Sequence, residues 1–160
     1  MVIREWNPVE GMAFQGDVAI VPVPAGIEIC TLDEISPVDG RLILQEGEVT
    51  GHHHAIWQPV MFRDDALARP EAVKTADTKL AEHFGKVGTA RMFRDLSAAQ
   101  AMVSAGILDR ADLCVGFLCV EGSPVTIQHE EHDAIRVPPG DYYVGRQVES
   151  AGADERVVTD

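Results

Sequence analysis

Leu113-Cys-Val-Gly-Phe-Leu-Cys-Val120 is a continuous apolar run, followed by the turn pair Ser123-Pro124. A short run of this kind bounded by turn residues reads as a fully buried strand. Val125-Thr-Ile-Gln-His129 then reads as the next strand. Beyond Pro138-Pro-Gly-Asp141, the stretch Tyr142 to Val148 reads as another. The tail from Ser150 to Asp160 is polar and acidic and is expected to fray.

Upstream of the decisive run the pattern changes. Ser97 to Ala105 is expected to be helical: Ser97-Ala-Ala-Gln100 has capping-box spacing, and Gly106 stands at the exit. Ala66 to Phe84 is expected to hold another helix. There Val73, Leu80 and Phe84 fall at helical spacing with Ala76 and Ala81 beside them, Pro70 suits the first turn, and Gly85 a C-terminal stop.

Further upstream, strands return. Asp17-Val-Ala-Ile-Val-Pro-Val23 is β-branched, with Pro22 and Pro24 marking an edge or a strand end. After the Ala25-Gly26 turn, Ile27 to Leu32 suggests a short second strand, and Pro37-Val-Asp-Gly40 turns into Arg41-Leu-Ile-Leu-Gln-Glu46. Gly47 and Gly51 bracket Glu48-Val-Thr50, after which His52 to Trp57 continues as a strand. The expected architecture is mainly β, a compact β-barrel or sandwich-like single domain over 1–160. Its framework, 12–60 and 111–149, is split by an inserted helical segment at about 66–110 and followed by the acidic tail 150–160.

Composition narrows the function classes. A chain of 160 residues with 46% apolar side chains can bury a core without disulfides. Cys30, Cys114 and Cys119 form an odd set without zinc-finger spacing and read as reduced, buried thiols. Twenty-six acidic residues against thirteen basic ones leave a formal charge of −13, which disfavours nucleic acid and anionic membranes. The start MVIREWNPVEG lacks the basic-then-apolar order of a cleaved signal peptide, so a cytoplasmic location is expected, in a bacterium or a phage-infected one.

Five of the six histidines fall in two short segments, Gly51-His-His-His-Ala55 and Gln128-His-Glu-Glu-His-Asp133. Residues two apart on a strand share a face, so His52 and His54 present both rings to one side while His53 faces the other. His129 and His132, three apart, share a side only in a helical turn or a bulge. The four imidazoles His52, His54, His129 and His132, or three with a carboxylate from Glu48, Glu130 or Glu131, suit a transition metal ion, zinc first. The competing readings are a solvated loop or a metal-free cluster of histidines bonded to carboxylates. His83, near the end of the first helix, reads as a C-terminal cap. No serine or cysteine stands in a nucleophile motif.

Glu46-Gly-Glu-Val-Thr-Gly-His-His-His54 and His129-Glu-Glu-His-Asp-Ala-Ile-Arg-Val-Pro-Pro-Gly-Asp-Tyr-Tyr-Val-Gly-Arg-Gln147 together resemble a group of small, functionally uncharacterised proteins of bacteria and their phages. A Gly-Asp-Val strand opens that domain, as Gly16-Asp-Val18 does here, and the likeness covers about a third of the chain. It implies that His52, His54, His129 and His132 stand at matching places of one module, and that Ala66 to Ala111 is an insertion relative to shorter members. A looser similarity is to cupins, whose metal ligands include an HxH pair. Here the Pro-Pro-Gly turn follows the second histidine segment, whereas the cupin pattern places its proline-glycine turn before the last histidine.

The leading expectation is a structural or assembly protein, in a phage setting a virion or capsid-associated component, in which a metal clamps two distant segments. Protein partners or a homo-oligomer fit that role. Two alternatives stand beside it. One is a cupin-like metalloenzyme with Glu130 or Glu131 as base on metal-bound water. The other is a metal-free module that binds partners through a strand edge.

Overall fold

A computed structural model describes residues 3–38, 41–46, 53–57, 88–129, 132–151 and 154–157. The run that decides the fold becomes β8 (Cys114–Glu121), an inner strand of a six-stranded antiparallel sheet. β8 pairs with β11 (Gly140–Arg146) on one side and β7 (Thr89–Phe93) on the other. Beyond β11 lie β3 (Val18–Pro22) and the edge strand β2 (Ala13–Gln15); beyond β7 lies the two-residue β4 (Glu34–Ile35).

A second layer is assembled from two smaller sheets. β1 (Ile3–Glu5) runs parallel to β10 (Ala134–Val137), and β10 pairs with β9 (Val125–Ile127). β5 (Arg41–Glu46) and β6 (His53–Trp57) form a hairpin. Ala55 and Gln128 exchange backbone hydrogen bonds of 3.0 and 2.8 Å, which attach this hairpin to the end of β9.

Alternation explains why the layers stack. Ile20, Met92, Leu118 and Val144 from the large sheet share one buried cluster with Leu42, Leu44, Ile56, Ile127, Ile135 and Val137 from the second layer. The fold is therefore mainly β and sandwich-like. Among the described residues no sheet closes into a barrel.

The opposite face of the large sheet carries Val21, Phe117 and Tyr143, covered by α1 (Leu96–Ser104) through Ala98, Ala99 and Met102. The Asp95 carboxylate accepts from Ala98 N at 3.0 Å and, with its other oxygen, from Cys30 N at 2.8 Å. One side chain thus caps the helix and holds the loop between β3 and β4. Asp95→Ala is expected to cost about 2 kcal/mol, at the upper end for an N-cap, because it frees the loop as well. Thermal melting checks the size, and faster amide exchange at Cys30 together with Ala98 checks the cause.

At its other end α1 closes with Gly106 at φ 79°, Gly106 N bonded to Val103 O and Ile107 N to Met102 O, both at 3.0 Å. This paired arrangement needs a left-handed residue, which glycine supplies without strain. It folds Ile107 and Leu108 back toward the sheet.

Several expectations need correcting. The segment expected to be helical at about 66–110 is not helical throughout: ahead of α1, Thr89–Phe93 is a strand, with Ala90 and Met92 buried in the core and Arg91 exposed. Residues 58–87, including His83 and the expected helix at Ala66 to Phe84, lie outside the described residues. The helix cap is Asp95 instead of Ser97, which sits inside the first turn. Ile27 to Leu32 forms no strand; Ile27 and Ile29 pack instead against the cluster under α1. Within the segment expected to fray, β12 (Val148–Ala151) and β13 (Asp154–Val157) pair as an antiparallel hairpin.

Candidate functional site

The two histidine segments meet. Ala55 and Gln128 are opposite one another in an antiparallel bridge, so the next residues along, His54 and His129, fall side by side across the same ladder. Their ring centroids are 4.2 Å apart. His132 N donates to His129 Nδ1 at 3.3 Å, and the His132 ring lies 4.5 Å from His129 and 6.0 Å from His54. His52 lies outside the described residues, as do Glu48, Glu130 and Glu131, so the structure brings together three of the four candidate histidines.

Two further residues complete the centre, and neither was singled out as a site residue in the sequence. Gln15 ends β2 and Asp17 follows the Gly16 turn; both point into the space between the layers, each 1% exposed, while His54 is wholly buried. Gln15 Nε2 donates to Ile127 O at 3.1 Å and Asp133 O at 2.8 Å. Its Oε1 therefore faces His54 Nδ1, 2.7 Å away, and that nitrogen carries a proton. His54 Nε2 stands 2.9 Å from Asp17 Oδ1. Two lone pairs cannot face each other at that distance, so a second proton sits between them, as imidazolium with carboxylate or imidazole with carboxylic acid.

Both nitrogens of His54 are thus engaged, and this bears on metal chemistry. A ligand must offer a lone pair, which His54 lacks while both hydrogen bonds stand. His129 and His132 are partly exposed and lie on the outward side of His54. Among the described residues no three His, Cys, Asp or Glu side chains are disposed as ligands of one ion. Through Gln15 and Asp17 the large sheet is bonded to β6 and to the β9–β10 turn of the second layer.

Comparison with known proteins reaches the N-terminal part of this centre. Residues 14–92 match the model of a domain of unknown function, DUF8820. That stretch is just under half of the chain and contains Gln15, Asp17 and His54, whereas His129, His132 and Asp133 lie beyond it. No curated protein and no solved structure matches the chain. No helix among the described residues is long and apolar enough to cross a membrane.

The Arg110 guanidinium hydrogen-bonded to Asp112 holds its carboxyl below the usual value, whereas two thiols and two phenols are kept neutral. Burial pushes the Cys114 thiol up to about 11, with Asp95 adding to it; burial and then Asp141 push Cys119 up to about 12. Both tyrosines are raised to about 12, chiefly by burial. Each group binds its proton more tightly folded than unfolded. The stability they contribute is complete below the unfolded values, about 9 for a thiol and 10 for tyrosine, and is lost as pH rises through 11 to 12. The melting temperature is expected to fall over that alkaline range. At pH 8 a thiol reagent should modify Cys30, which is exposed, well before Cys114 or Cys119.

Proposed function

We propose that this chain is a structural or assembly module, not a catalyst, and that the histidine centre is the lock between its two layers. The observation that supports this reading is the double engagement of His54, which ties Gln15 and Asp17 to a ladder more than a hundred residues further along the chain. A buried hydrogen-bonded network favours one register between packed sheets, because any slip strands its polar groups without partners. Such rigidity suits a subunit of a larger protein assembly, a capsid-associated one included, and the chain's −13 charge keeps free subunits apart.

A second reading keeps the transition ion. His129 and His132, their rings 4.5 Å apart and partly exposed, would offer the nitrogens, with His52, outside the described residues, as the further candidate. In that arrangement His54 serves as a positioning residue behind the ligands, not as a ligand. Zinc is the first candidate, since imidazole suits it.

Elemental analysis of protein purified without a nickel column separates the two readings. The lock alone predicts less than about 0.1 equivalent of metal and a melting temperature unmoved by EDTA. The ion predicts stoichiometric zinc that is lost in His129→Ala and His132→Ala, with EDTA lowering the melting temperature. Zinc retained in both variants would exclude the second reading. A His54→Ala variant as stable as the wild type would exclude the first.

A further inference from the structure

We propose that β1 together with Trp6 is an exchangeable arm: two copies of this chain pair when each lays its arm along β10 of the other, so the partner recruited by the assembly module is a second copy. The seat itself argues for that occupant, because the sequence that fits it is the one that already fills it. Each contact between the arm and the body of its own molecule can be remade with an identical neighbour, and the mutual exchange closes on itself as a two-fold dimer.

The arm is lightly attached. β1 is an edge strand of three residues in a parallel ladder with β10, Ile3 opposite Ala134 and Glu5 opposite Arg136. None of the three is buried: Ile3 is half-buried, Arg4 and Glu5 exposed. Two polar ties join it to the body, Arg4 Nη2 donating to Phe14 O at 2.6 Å and Arg136 Nη1 to a Glu5 carboxylate oxygen at 3.2 Å. Trp6 is the apolar anchor. It packs against the core between the layers, its ring 5.3 Å from that of Tyr142, and donates from Nε1 to Gly11 O at 3.0 Å. An edge strand held chiefly by one half-buried ring opens at a fraction of the cost of global unfolding. Its departure uncovers the edge of β10, and an open edge is a template for another strand.

Asn7 to Gly11 is the hinge. Val9 N donates to Asn7 Oδ1 at 3.1 Å, Glu10 N to Asn7 O at 3.0 Å and Gly11 N to Pro8 O at 3.2 Å, all of them short-range bonds. No residue of the Pro8–Glu10 turn is buried and Val9 is 92% exposed, so water takes over these bonds when the turn straightens. Gly11, at φ 124° with open space where a Cβ would stand, absorbs the change of direction. Extended, the five residues reach about 17 Å, far enough to carry Trp6 to an adjoining molecule. Folded back, the same linker holds the arm at an effective concentration on the order of 1 mM. Exchange therefore competes where copies are packed at about that density, as in an assembly, and prevails at any density once the linker is too short to fold back.

The test shortens the hinge. With Val9 and Glu10 deleted, light scattering should find a dimer at micromolar protein, at a midpoint about a hundredfold or more below that of the intact chain. Glu5→Cys with Arg136→Cys, in a Cys30→Ser background, reports whose seat each arm fills. These two positions face each other in the ladder, so air oxidation closes a disulfide within the chain in a monomer and between chains in an exchanged dimer. Trp6→Ala should weaken the shortened chain's dimer about tenfold or more. A shortened chain that folds as a monomer overturns the proposal, as does a dimer whose disulfide closes within each chain or whose affinity Trp6→Ala leaves unchanged. If the shortened chain does not fold, the intact chain with the cysteine pair decides: after equilibration at about 1 mM, interchain disulfide is expected, and intrachain disulfide alone overturns the exchange.

The exchange rests on the assembly reading but uses no side chain of the histidine centre. A protein that stays monomeric while His54→Ala lowers its stability would lose the arm exchange and keep the lock. A His54→Ala variant as stable as the wild type would remove the lock and leave the cross-linking result standing.

Discussion

Asp17→Ala is expected to destabilise the fold by about 3 to 5 kcal/mol, the range for removing one partner from a buried ion pair. In a domain of this size that is a fall in melting temperature of about 10 °C. The reason is local and has no escape route: His54 is wholly buried, its Nδ1 proton is held by Gln15, and without the carboxylate its other nitrogen faces a cavity. Asp17→Asn should behave differently. An amide N–H can donate to a neutral His54 at Nε2 while Nδ1–H still donates to Gln15, so most of the network survives and the cost should stay below about 2 kcal/mol. Urea melts of the two variants decide the matter. Equal stability of Asp17→Ala and wild type would mean that the network does not hold the layers together.

Phe117→Ala should have an effect of the same size from a purely apolar cause. Phe117 is fully buried on the helix side of β8, with Tyr143 edge-on at a centroid distance of 5.9 Å and α1 above it. Deleting a buried aromatic ring costs about 3 to 5 kcal/mol, part of it the cavity left behind. The loss should be uneven. Ala98, Ala99 and Met102 lose their main contact, so amide exchange in α1 should accelerate more than in β10, on the far layer. A uniform increase in both would contradict the layered packing.

The sequence carried some of this and not the rest, for physical reasons that can be traced residue by residue. Cys114–Glu121 was legible because its central residues, Gly116 to Leu118 and Val120, are buried on an inner strand of a sheet covered on both faces. His54, His129 and His132 were legible as candidates because five of six histidines fall in two short segments, although the ladder that aligns them was not. Gln15 and Asp17 carried no signal as partners. A glutamine before a Gly-Asp turn looks like surface chemistry until the second layer closes over it. β1, β2 and β10, at three or four residues, are too short for a period to register. Thr89–Phe93 shows the opposite failure: its alternation was present, but it was absorbed into an apparent helical insertion between two strong turn signals.

The hydrogen bond between Gln15 and Asp133 spans 118 positions. During synthesis, at roughly 5 to 20 residues per second, the amide of Gln15 waits on the order of 10 s for its acceptor to emerge. β3 waits longer, since its inner neighbour β11 follows still later. The early half of the chain therefore leaves the ribosome with a strand edge open and a polar cluster half built. The last third of the polypeptide acts as its own fastener, and translation pauses placed before it would lengthen the interval in which that edge is exposed to other chains.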